Sequence, residues 1–345
     1  GERAQTTEVF AVYPRPMSGF ALCTCLLAAS PSKPTASSRH LHSRRSVLAG
    51  AATALATPMG ASAMVRGDPV DNAEAAATGS VGLWIDLTDC TVCRQGLPAT
   101  CSGTLIAPDL VLSAQHCIDF PKEVNGTLDR VVFGADMFDK SAPTSKILGL
   151  RTTADYGLAG QSGGDLVLIK LATPAPPSWR PVELPLGLLP AKAEQEEARR
   201  LGSPFYPDGL GLPSVAAYGY GQQSTAGTRD PNAYSAGKLK SVELELKTEV
   251  RPWAPGFLTA PVNKAQGTCA GDSGGAALLR LQDPQGRGLR QIVLGVQAEA
   301  SVPCEGNKQI FIFPAYFQDF IERASRDLGS PIRPTLSWRD YGASG

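Results

Sequence analysis

A serine in a glycine-rich turn is the residue of this sequence best suited to nucleophilic chemistry. Residues 267–275 read Gly-Thr-Cys-Ala-Gly-Asp-Ser-Gly-Gly, with Ser273 directly after Asp272 and two residues after Gly271. Glycines allow a strained turn that aims the N–H groups of Gly271 and Ser273 at one point, where a tetrahedral intermediate would place its oxyanion. The motif also fits an ordinary turn between strands, so this chemistry requires a base elsewhere in the chain.

Only one histidine can serve as that base. Two of the three histidines, His40 and His42, lie near the N-terminus in a stretch with the composition of a targeting peptide. The third, His116, follows an apolar run of strand-forming residues and precedes Cys117. Imidazole accepts and returns a proton near neutral pH, which is what a serine nucleophile needs.

An aspartate is needed to orient that imidazole, and two are candidates. Asp165 opens the apolar run Leu166–Leu171, which predicts a buried strand. Asp155 instead precedes Tyr-Gly-Leu-Ala-Gly, a turn-like stretch. We therefore predict Asp165 as the carboxylate partner of His116, with Asp155 as the alternative.

Taken together and in this order, the His, Asp and Ser motifs resemble those of the chymotrypsin family of serine proteases. The resemblance covers most of the chain from about residue 64. It implies that Ser273 is the nucleophile, His116 the general base and Asp165 the buried carboxylate, with an oxyanion hole at the N–H groups of Gly271 and Ser273. It also implies a serine endopeptidase that forms an acyl-enzyme, acts on proteins or peptides, and needs no metal or cofactor.

The resemblance further locates a specificity pocket, formed here by Gly267, Thr268, Ala298, Ala300 and Gln309. Gly267 occupies the position where trypsin-like members carry the acid that selects Arg or Lys, so cleavage after basic residues is not expected. Ala298-Glu299-Ala300 and Gln309 align with Ser-Trp-Gly and a pocket-wall glycine. Larger side chains narrow the pocket and predict a small or aliphatic residue before the cleaved bond, and Glu299 would favour cationic peptides.

The start of the mature chain suggests an activation step. Cleavage after Ala63 would expose Met64-Val65-Arg66-Gly67, which resembles the apolar N-terminus that activating proteolysis creates in the family. There the new amino group pairs with the aspartate before the serine, which is Asp272 in this chain. The rival is cleavage after Arg66, which would expose Gly67-Asp68, and the simplest alternative is a disordered terminus at Met64.

The first 63 residues have the composition of targeting sequence. Residues 1–43 contain two acidic residues and many Ser, Thr, Ala and Pro, as in an organelle transit peptide. Residues 44–63 follow with Arg44-Arg45, a weakly apolar Ala-rich segment and Ala-Ser-Ala, typical of a twin-arginine export signal. A bipartite presequence of this kind resembles those of thylakoid-lumen proteins. The alternatives are bacterial export to the periplasm or medium, and a flexible linker.

Composition excludes several other classes of protein. The 345 residues carry 32 basic and 32 acidic side chains, which does not indicate a nucleic-acid partner. No apolar run is long enough to span a bilayer, so stable membrane insertion is not expected. A thiol redox function of Cys90 and Cys93 would need a βαβ context that the flanking residues do not supply. Another alternative is a catalytically inactive protease-like binding module, and the oligomeric state is left open.

Six cysteines remain after residue 63, and their number alone leaves the pairing open. The resemblance implies a Cys101–Cys117 bridge beside the histidine and a Cys269–Cys304 bridge beside the serine. Cys90 and Cys93 are left over, and we expect them to form a local loop bridge. Zinc binding would need further ligands, and no histidine lies near.

The elements that must position these residues are short strands. Strands are predicted near 81–87, 101–106, 110–113, 130–134, 145–150 and 165–171, then near 215–221, 238–247, 276–281, 291–297 and 309–313. A helix-compatible insert is predicted at 191–201 and a closing helix at 315–328. The family resemblance turns this pattern into two packed six-stranded antiparallel barrels with a C-terminal helix, the first over 64–180 and the second over 181–345.

Overall fold

A computed structural model describes most of the chain after the predicted presequence. The described residues are 63–90, 99–158, 164–188, 190, 192–201, 214–223, 236–247, 255–283, 286, 288–300, 304–306 and 308–341. The predicted transit and export segments, with the exception of Ala63, and Cys93 lie outside these ranges.

Thirteen strands and four helices occur in the described ranges. The strands are β1 Asp68–Pro69, β2 Ser80–Asp86, β3 Ala99–Ala107, β4 Leu110–Ser113, β5 Thr127–Val132, β6 Thr144–Thr152, β7 Val167–Leu171, β8 Val215–Gly219, β9 Lys240–Leu246, β10 Gly256–Pro261, β11 Ala276–Gln282, β12 Leu289–Ala300 and β13 Gln309–Ile312. The helices are α1 Asn72–Ala77, α2 His116–Glu123, α3 Gln195–Arg200 and α4 Gln318–Asp327. Short 3₁₀ helices occupy Thr153–Tyr156, Lys192–Glu194, Pro314–Phe317 and Trp338–Tyr341.

The first six-stranded barrel closes in the order β2-β3-β4-β7-β6-β5, with all neighbours antiparallel. Its central strands are apolar on both faces: all four residues of β4 are buried, and so are four of the five residues of β7. Strands buried on both sides read as continuous Val, Ile and Leu runs, as the sequence does here. These two adjacent strands carry the ends from which His116 and Asp165 project.

The second barrel contains β8, β9, β10, β13, β12 and β11, and the β8–β9 pairing closes it. The predicted fold class, two packed six-stranded antiparallel barrels with a C-terminal helix, is confirmed. The sequence did not predict β10, whose six residues are bounded by proline and glycine, and it did not predict α2. The domain limits at 64–180 and 181–345 stay a prediction.

The segment before the first barrel contacts the second. In β1, Asp68 pairs with Ser241 and Pro69 with Lys240 of β9. Just upstream, Ala63–Arg66 forms a turn in which Met64 and Val65 have non-helical backbone angles. This segment therefore crosses the second barrel before the chain enters the first.

The C-terminal helix α4 joins the two halves of the core. Its Phe320, Ile321 and Ala324 are buried in the apolar cluster that also contains the inner side chains of the first barrel. The Phe320 ring contacts Tyr156 edge to face at 5.5 Å, and the Tyr156 hydroxyl donates to Asp327 at 2.5 Å. None of the helices in the described ranges is long and apolar enough to cross a membrane.

Candidate active site

His116 and Asp165 are brought together by the register of two neighbouring strands. Strands β4 and β7 are antiparallel, with Ser113 opposite Val167, so the residues after β4 meet the residues before β7. The Nδ1 atom of His116 lies 2.7 Å from Asp165 Oδ2, and the backbone N–H of His116 donates to Asp165 Oδ1 at 2.9 Å. The carboxylate therefore holds both the ring and the backbone of the histidine.

The electrostatics of this pair favour an imidazole that gains a proton readily. Burial alone lowers the pKa of His116, but the hydrogen bond that the ring donates to Asp165 and the negative charge of Asp165 outweigh burial and raise the pKa above the usual 6.5. The His116 side chain keeps 37 % of its surface exposed, and that of Asp165 keeps 25 %. The ring is thus fixed on one side and open on the other.

The alternative aspartate, Asp155, has a different role. Its carboxylate accepts the backbone N–H of Thr152 at 2.7 Å and caps the 3₁₀ helix Thr153–Tyr156. Gln115 links this helix to the histidine turn, because its side-chain oxygen accepts from Thr153 Oγ1 at 2.8 Å. Asp155 is therefore a capping residue near the site, and Asp165 is the partner of His116.

The serine turn belongs to the second barrel but is bound to the first. The N–H of Ser102, in β3, donates to the carbonyl of Ser273 at 2.8 Å, and the Ser102 hydroxyl donates to the carbonyl of Gly271 at 2.9 Å. A side chain at Gly274 would overlap Ser113 and lie 2.9 Å from the backbone nitrogen of Ala114. The serine turn is therefore packed against the residues that lead to His116, although no hydrogen bond joins the Ser273 hydroxyl to the imidazole within the described part of the chain.

Two backbone N–H groups of the serine turn are free. In the described ranges, neither Gly271 N–H nor Ser273 N–H donates to another group. The carbonyl of Ala270 accepts from Gln222 N at 2.7 Å, and a trans peptide points its N–H away from its carbonyl. The Gly271 N–H is therefore directed away from Gln222, and Gly271 holds φ at +94°, which favours glycine. This geometry is able to receive an oxyanion.

Asp272 points inward, away from the Ser273 hydroxyl. It is fully buried, and its carboxylate accepts the N–H of Gly221 and the N–H of Cys269, both at 2.7 Å. Burial raises the pKa of Asp272 to about 7, and the two hydrogen bonds only partly oppose this shift. A side chain at Gly219 would overlap the carboxylate, and one at Gly221 would overlap the backbone nitrogen of Asp272, so this close approach requires glycine at both positions.

Two disulfides brace the residues around the site. Cys101–Cys117 joins β3 to the residue after His116, and Cys269–Cys304 joins the serine turn to the loop that precedes β13. Both bridges are those that the family resemblance implied. Cys90 is also disulfide-bonded.

The predicted pocket residues lie at one end of the second barrel. Thr268 and Gln309 are buried, whereas Ala298 and Ala300 are half-buried. A side chain at Gly267 would overlap the carbonyl oxygen of Cys304 and lie 3.3 Å from Gln309 Nε2. Gly267 is thus enclosed on the side where an acidic side chain would have to fit.

The sequence reasoning missed several residues at this site. Ser102 binds the serine turn twice, and its only sequence signal is its position after Cys101. Gln297, at 3 % exposure, and Thr259, at 0 %, flank the predicted pocket residues. Both are polar residues in otherwise apolar strand patterns, and this irregularity is the signal that would have identified them.

The segment around Met64 is buried in the second barrel. Met64 is 1 % exposed and packs with the inner side chains of that barrel, and Val65 pairs with Gly267 in an isolated antiparallel bridge. The carbonyl of Arg66 accepts from Gln266 Nε2 at 2.8 Å. Asp68, which would be the second residue after the alternative cleavage at Arg66, is exposed in β1. The structure therefore gives Met64 a defined, buried position.

No group of three or more potential metal ligands occurs in the ranges that the structure describes.

Comparisons with known proteins agree with the fold. The family model described as Trypsin matches residues 88–321. The structure is similar to the crystal structure of a scabies mite inactivated protease paralogue, S-D1, with a TM-score of 0.50 and 14 % sequence identity over 78 % of this chain and 100 % of that chain. At this identity the likeness supports the fold alone. Because the family match covers well over half of the residues and includes the histidine, aspartate and serine motifs, the chain belongs to the trypsin family of serine proteases.

Proposed function

We propose that this protein is an active serine endopeptidase that cleaves peptide bonds through an acyl-enzyme on Ser273. In this mechanism His116 takes the proton of the Ser273 hydroxyl and later gives it to the leaving amine, while Asp165 orients the imidazole. The observation that carries the proposal is the hydrogen bond from Ser102 to the Ser273 carbonyl. It attaches the serine turn of one barrel to the strand that the Cys101–Cys117 disulfide links to His116.

The contacts of His116 support its role as base. Because Nδ1 faces the Asp165 carboxylate at 2.7 Å, the neutral ring carries its proton there and leaves Nε2 to accept from a serine. The raised pKa also supports the second half of the cycle, since a more basic imidazole stabilises the imidazolium that forms. The free N–H groups of Gly271 and Ser273 would stabilise the charge that develops on the substrate oxygen.

A protease fold can also serve as a binding module, and S-D1 is described as inactivated. Fluorophosphonate labelling of protein beginning at Met64 separates the two functions. We expect the wild type to be labelled and to hydrolyse casein, and Ser273→Ala to lose labelling and at least about 10⁶-fold of its kcat. Ser141→Ala, on an exposed loop of the first barrel, is the matched control and should retain both. Absence of labelling in the wild type would support the binding module instead.

We further propose that removal of the presequence activates the enzyme. Met64 has φ of +41°, a region that costs a non-glycine residue about 1–3 kcal/mol. The angle φ is defined by the bond to the preceding residue, so cleavage after Ala63 removes that constraint. The new amino group would begin at a residue already buried beside the second barrel, and Asp272 is a buried carboxylate with no cationic side chain bound to it in the described ranges.

Protein beginning at Met64 and protein retaining residues 58–63 should therefore differ in activity. We expect the first to be labelled rapidly and the second slowly. Asp272→Asn should reduce the activity of the first by about 100- to 5,000-fold, because loss of one partner of a buried ion pair costs about 3–5 kcal/mol. Pairing with Asp272 would raise the pKa of the amine above its usual value near 8, so the contribution of this pair to activity should be lost only at alkaline pH. Equal labelling of the two proteins would contradict this activation step.

The destination of the protein is part of the same proposal. The paired arginines Arg44-Arg45 after a transit-like segment support export into a thylakoid lumen, where a folded, uncleaved enzyme would become active on arrival. Import of the labelled precursor into isolated plastids tests this. Recovery of the processed chain in the lumen is expected, and replacement of both arginines by lysine should stop its transport.

A further inference from the structure

Buried polar side-chain atoms without hydrogen-bond partners are concentrated at one place in the second barrel. Thr259, Thr268, Gln297 and Gln309, here called the polar floor, are each at most 3 % exposed. In the described ranges no hydrogen bond is made by the hydroxyls of the two threonines, by Gln297 Oε1, or by either amide atom of Gln309. Most of the buried unpaired side-chain atoms of the described structure belong to these four residues.

Strand pairing places Thr259, Gln297 and Gln309 together, and Thr268 directly follows Gly267, beside which Gln309 lies. Gln309 in β13 is directly opposite Thr259 in β10 and opposite Ala300 in β12. Directly paired residues of an antiparallel pair point to the same face, so Thr259 and Gln309 share a face. Gln297 is opposite Phe311, two residues from Gln309 and on the same face of β13.

The polar floor adjoins the serine turn. Gly274 N–H donates to the carbonyl of Gln297, and Gln297 N–H donates to the carbonyl of Gly275, both at 2.8 Å. On the other side, Gln309 Nε2 lies 3.3 Å from the position that a Cβ of Gly267 would occupy. The cluster therefore lies under the place where the side chain before the cleaved bond would enter.

Unpaired buried polar groups are costly, so four in one place indicate an absent partner. The two hydroxyls and the Gln309 amide offer both donors and acceptors, and none of the four side chains carries a charge. Their complement is an uncharged group that both donates and accepts. An aliphatic side chain would leave the floor unpaired, and a charged one would be buried without a counter-ion.

We infer that the polar floor selects a small, uncharged, hydrogen-bonding residue, Ser, Thr or Asn, before the cleaved bond. This inference rests on the proposed endopeptidase function. It keeps the small size predicted from the sequence and replaces the aliphatic character with a polar one. The substrate residue before the cleaved bond must be small because the Gln309 side chain occupies the space beside Gly267. Because the Gln309 amide is enclosed in the free protein, binding includes a rotation of this side chain toward the substrate.

Matched pairs of peptides test the inference. Fluorogenic substrates that differ only in Asn against Leu, or Thr against Val, keep shape nearly constant while removing the polar atoms. We expect kcat/KM to favour Asn and Thr by about 10- to 100-fold, the factor expected for one unpaired buried polar group. In Gln309→Met these ratios should fall by at least about tenfold, toward one. Gln291→Met is the control, because Gln291 also has an unpaired buried amide oxygen but lies further along β12, where it pairs with β11.

The outcomes separate this inference from the proposed function. If wild-type protein reacts with fluorophosphonate but cleaves the paired substrates equally, the selectivity assigned to the polar floor is wrong. The proposed endopeptidase function is then unaffected. Failure of the probe to label the wild type would overturn the endopeptidase itself. If Gln309→Met does not fold, Thr259→Val removes a hydroxyl at constant shape and should also lower the ratios. Unchanged ratios in the folded variant tested would overturn the role assigned to the floor.

Discussion

The two barrels contribute to the site in opposite ways. In the first barrel His116 and Asp165 satisfy each other, with the ring and the backbone of the histidine both bound to the carboxylate. In the second barrel the free N–H groups of the serine turn, the buried Asp272 and the polar floor all lack part of their complement. The first contribution is complete before substrate binds, whereas we propose that the second is completed by the new amino group and by the substrate. Each group of the second barrel therefore indicates what it binds.

Of the changes that test this comparison, removal of the Asp165 charge in the first barrel should have the largest effect. We expect Asp165→Asn to lower kcat by about 10⁴-fold, because an amide at this position stabilises the wrong tautomer of His116. Steady-state hydrolysis of the best peptide measures this effect, and Asp155→Asn is the matched control, since Asp155 caps a 3₁₀ helix. A larger loss in Asp155→Asn than in Asp165→Asn would reverse the assignment.

Asp272, in the second barrel, should make the free energy of unfolding depend on pH. In the chain that retains residues before Met64, the pKa of Asp272 is raised from 3.8 to about 7. The folded state then binds a proton that the unfolded state has lost, so stability is full below about pH 4 and falls as pH rises through 7. At about 1.4 kcal/mol per pKa unit the loss is roughly 4 kcal/mol.

The same measurement on protein beginning at Met64 gives the contrast. Its α-amino group would keep Asp272 ionised, so this fall should be absent. Urea unfolding of the Ser273→Ala form of both proteins at several pH values avoids self-digestion, and other carboxylates cancel between the two. If the free energy of unfolding depends on pH in the same way in both proteins, the amine does not reach Asp272.

The two disulfides allow each half to be loosened separately. One double variant replaces Cys101 and Cys117 by alanine, and the other replaces Cys269 and Cys304. Each should lower the free energy of unfolding by about 3–4 kcal/mol. The first pair holds the turn of His116, so its loss should reduce kcat for all peptides alike. The second holds the loop whose carbonyl encloses Gly267, so its loss should change mainly the preference between peptides. Identical kinetic effects of the two double variants would contradict the division between barrels.

The smallest expected effect is a shift in the pH profile of activity. The protonated imidazole cannot act as base, so kcat/KM should fall about tenfold per pH unit below the pKa of His116. Because Asp165 raises that pKa, the midpoint should lie above 6.5, and in Asp165→Asn it should move down. A profile of kcat/KM for both proteins checks this, and an unmoved midpoint would mean that another group controls the profile.

The sequence alone predicted the candidate site residues and the fold class, and the structure confirms the fold class. The residue types around His116, Asp165 and Ser273 occur in the order of one family, and local apolar patterns predicted most of the strands. The resemblance to that family then implied two barrels. Local patterns did not predict β10, whose short run between prolines and glycines has weak strand character. The cysteine pairs came from the family resemblance and not from their spacing.

The tertiary structure decided what depends on contacts between distant residues. The apolar run after Asp165 predicted the right aspartate, but the contact with His116 forms because β4 and β7 pair with Ser113 opposite Val167, a register that no local pattern encodes. Thr259 and Gln309 form one polar floor only because β10 and β13 are neighbours in the second barrel. Burial of Met64 likewise depends on a barrel built from residues more than 100 positions away. Side-chain types are a property of the sequence, but which of them remain unpaired is decided only when the strands come together.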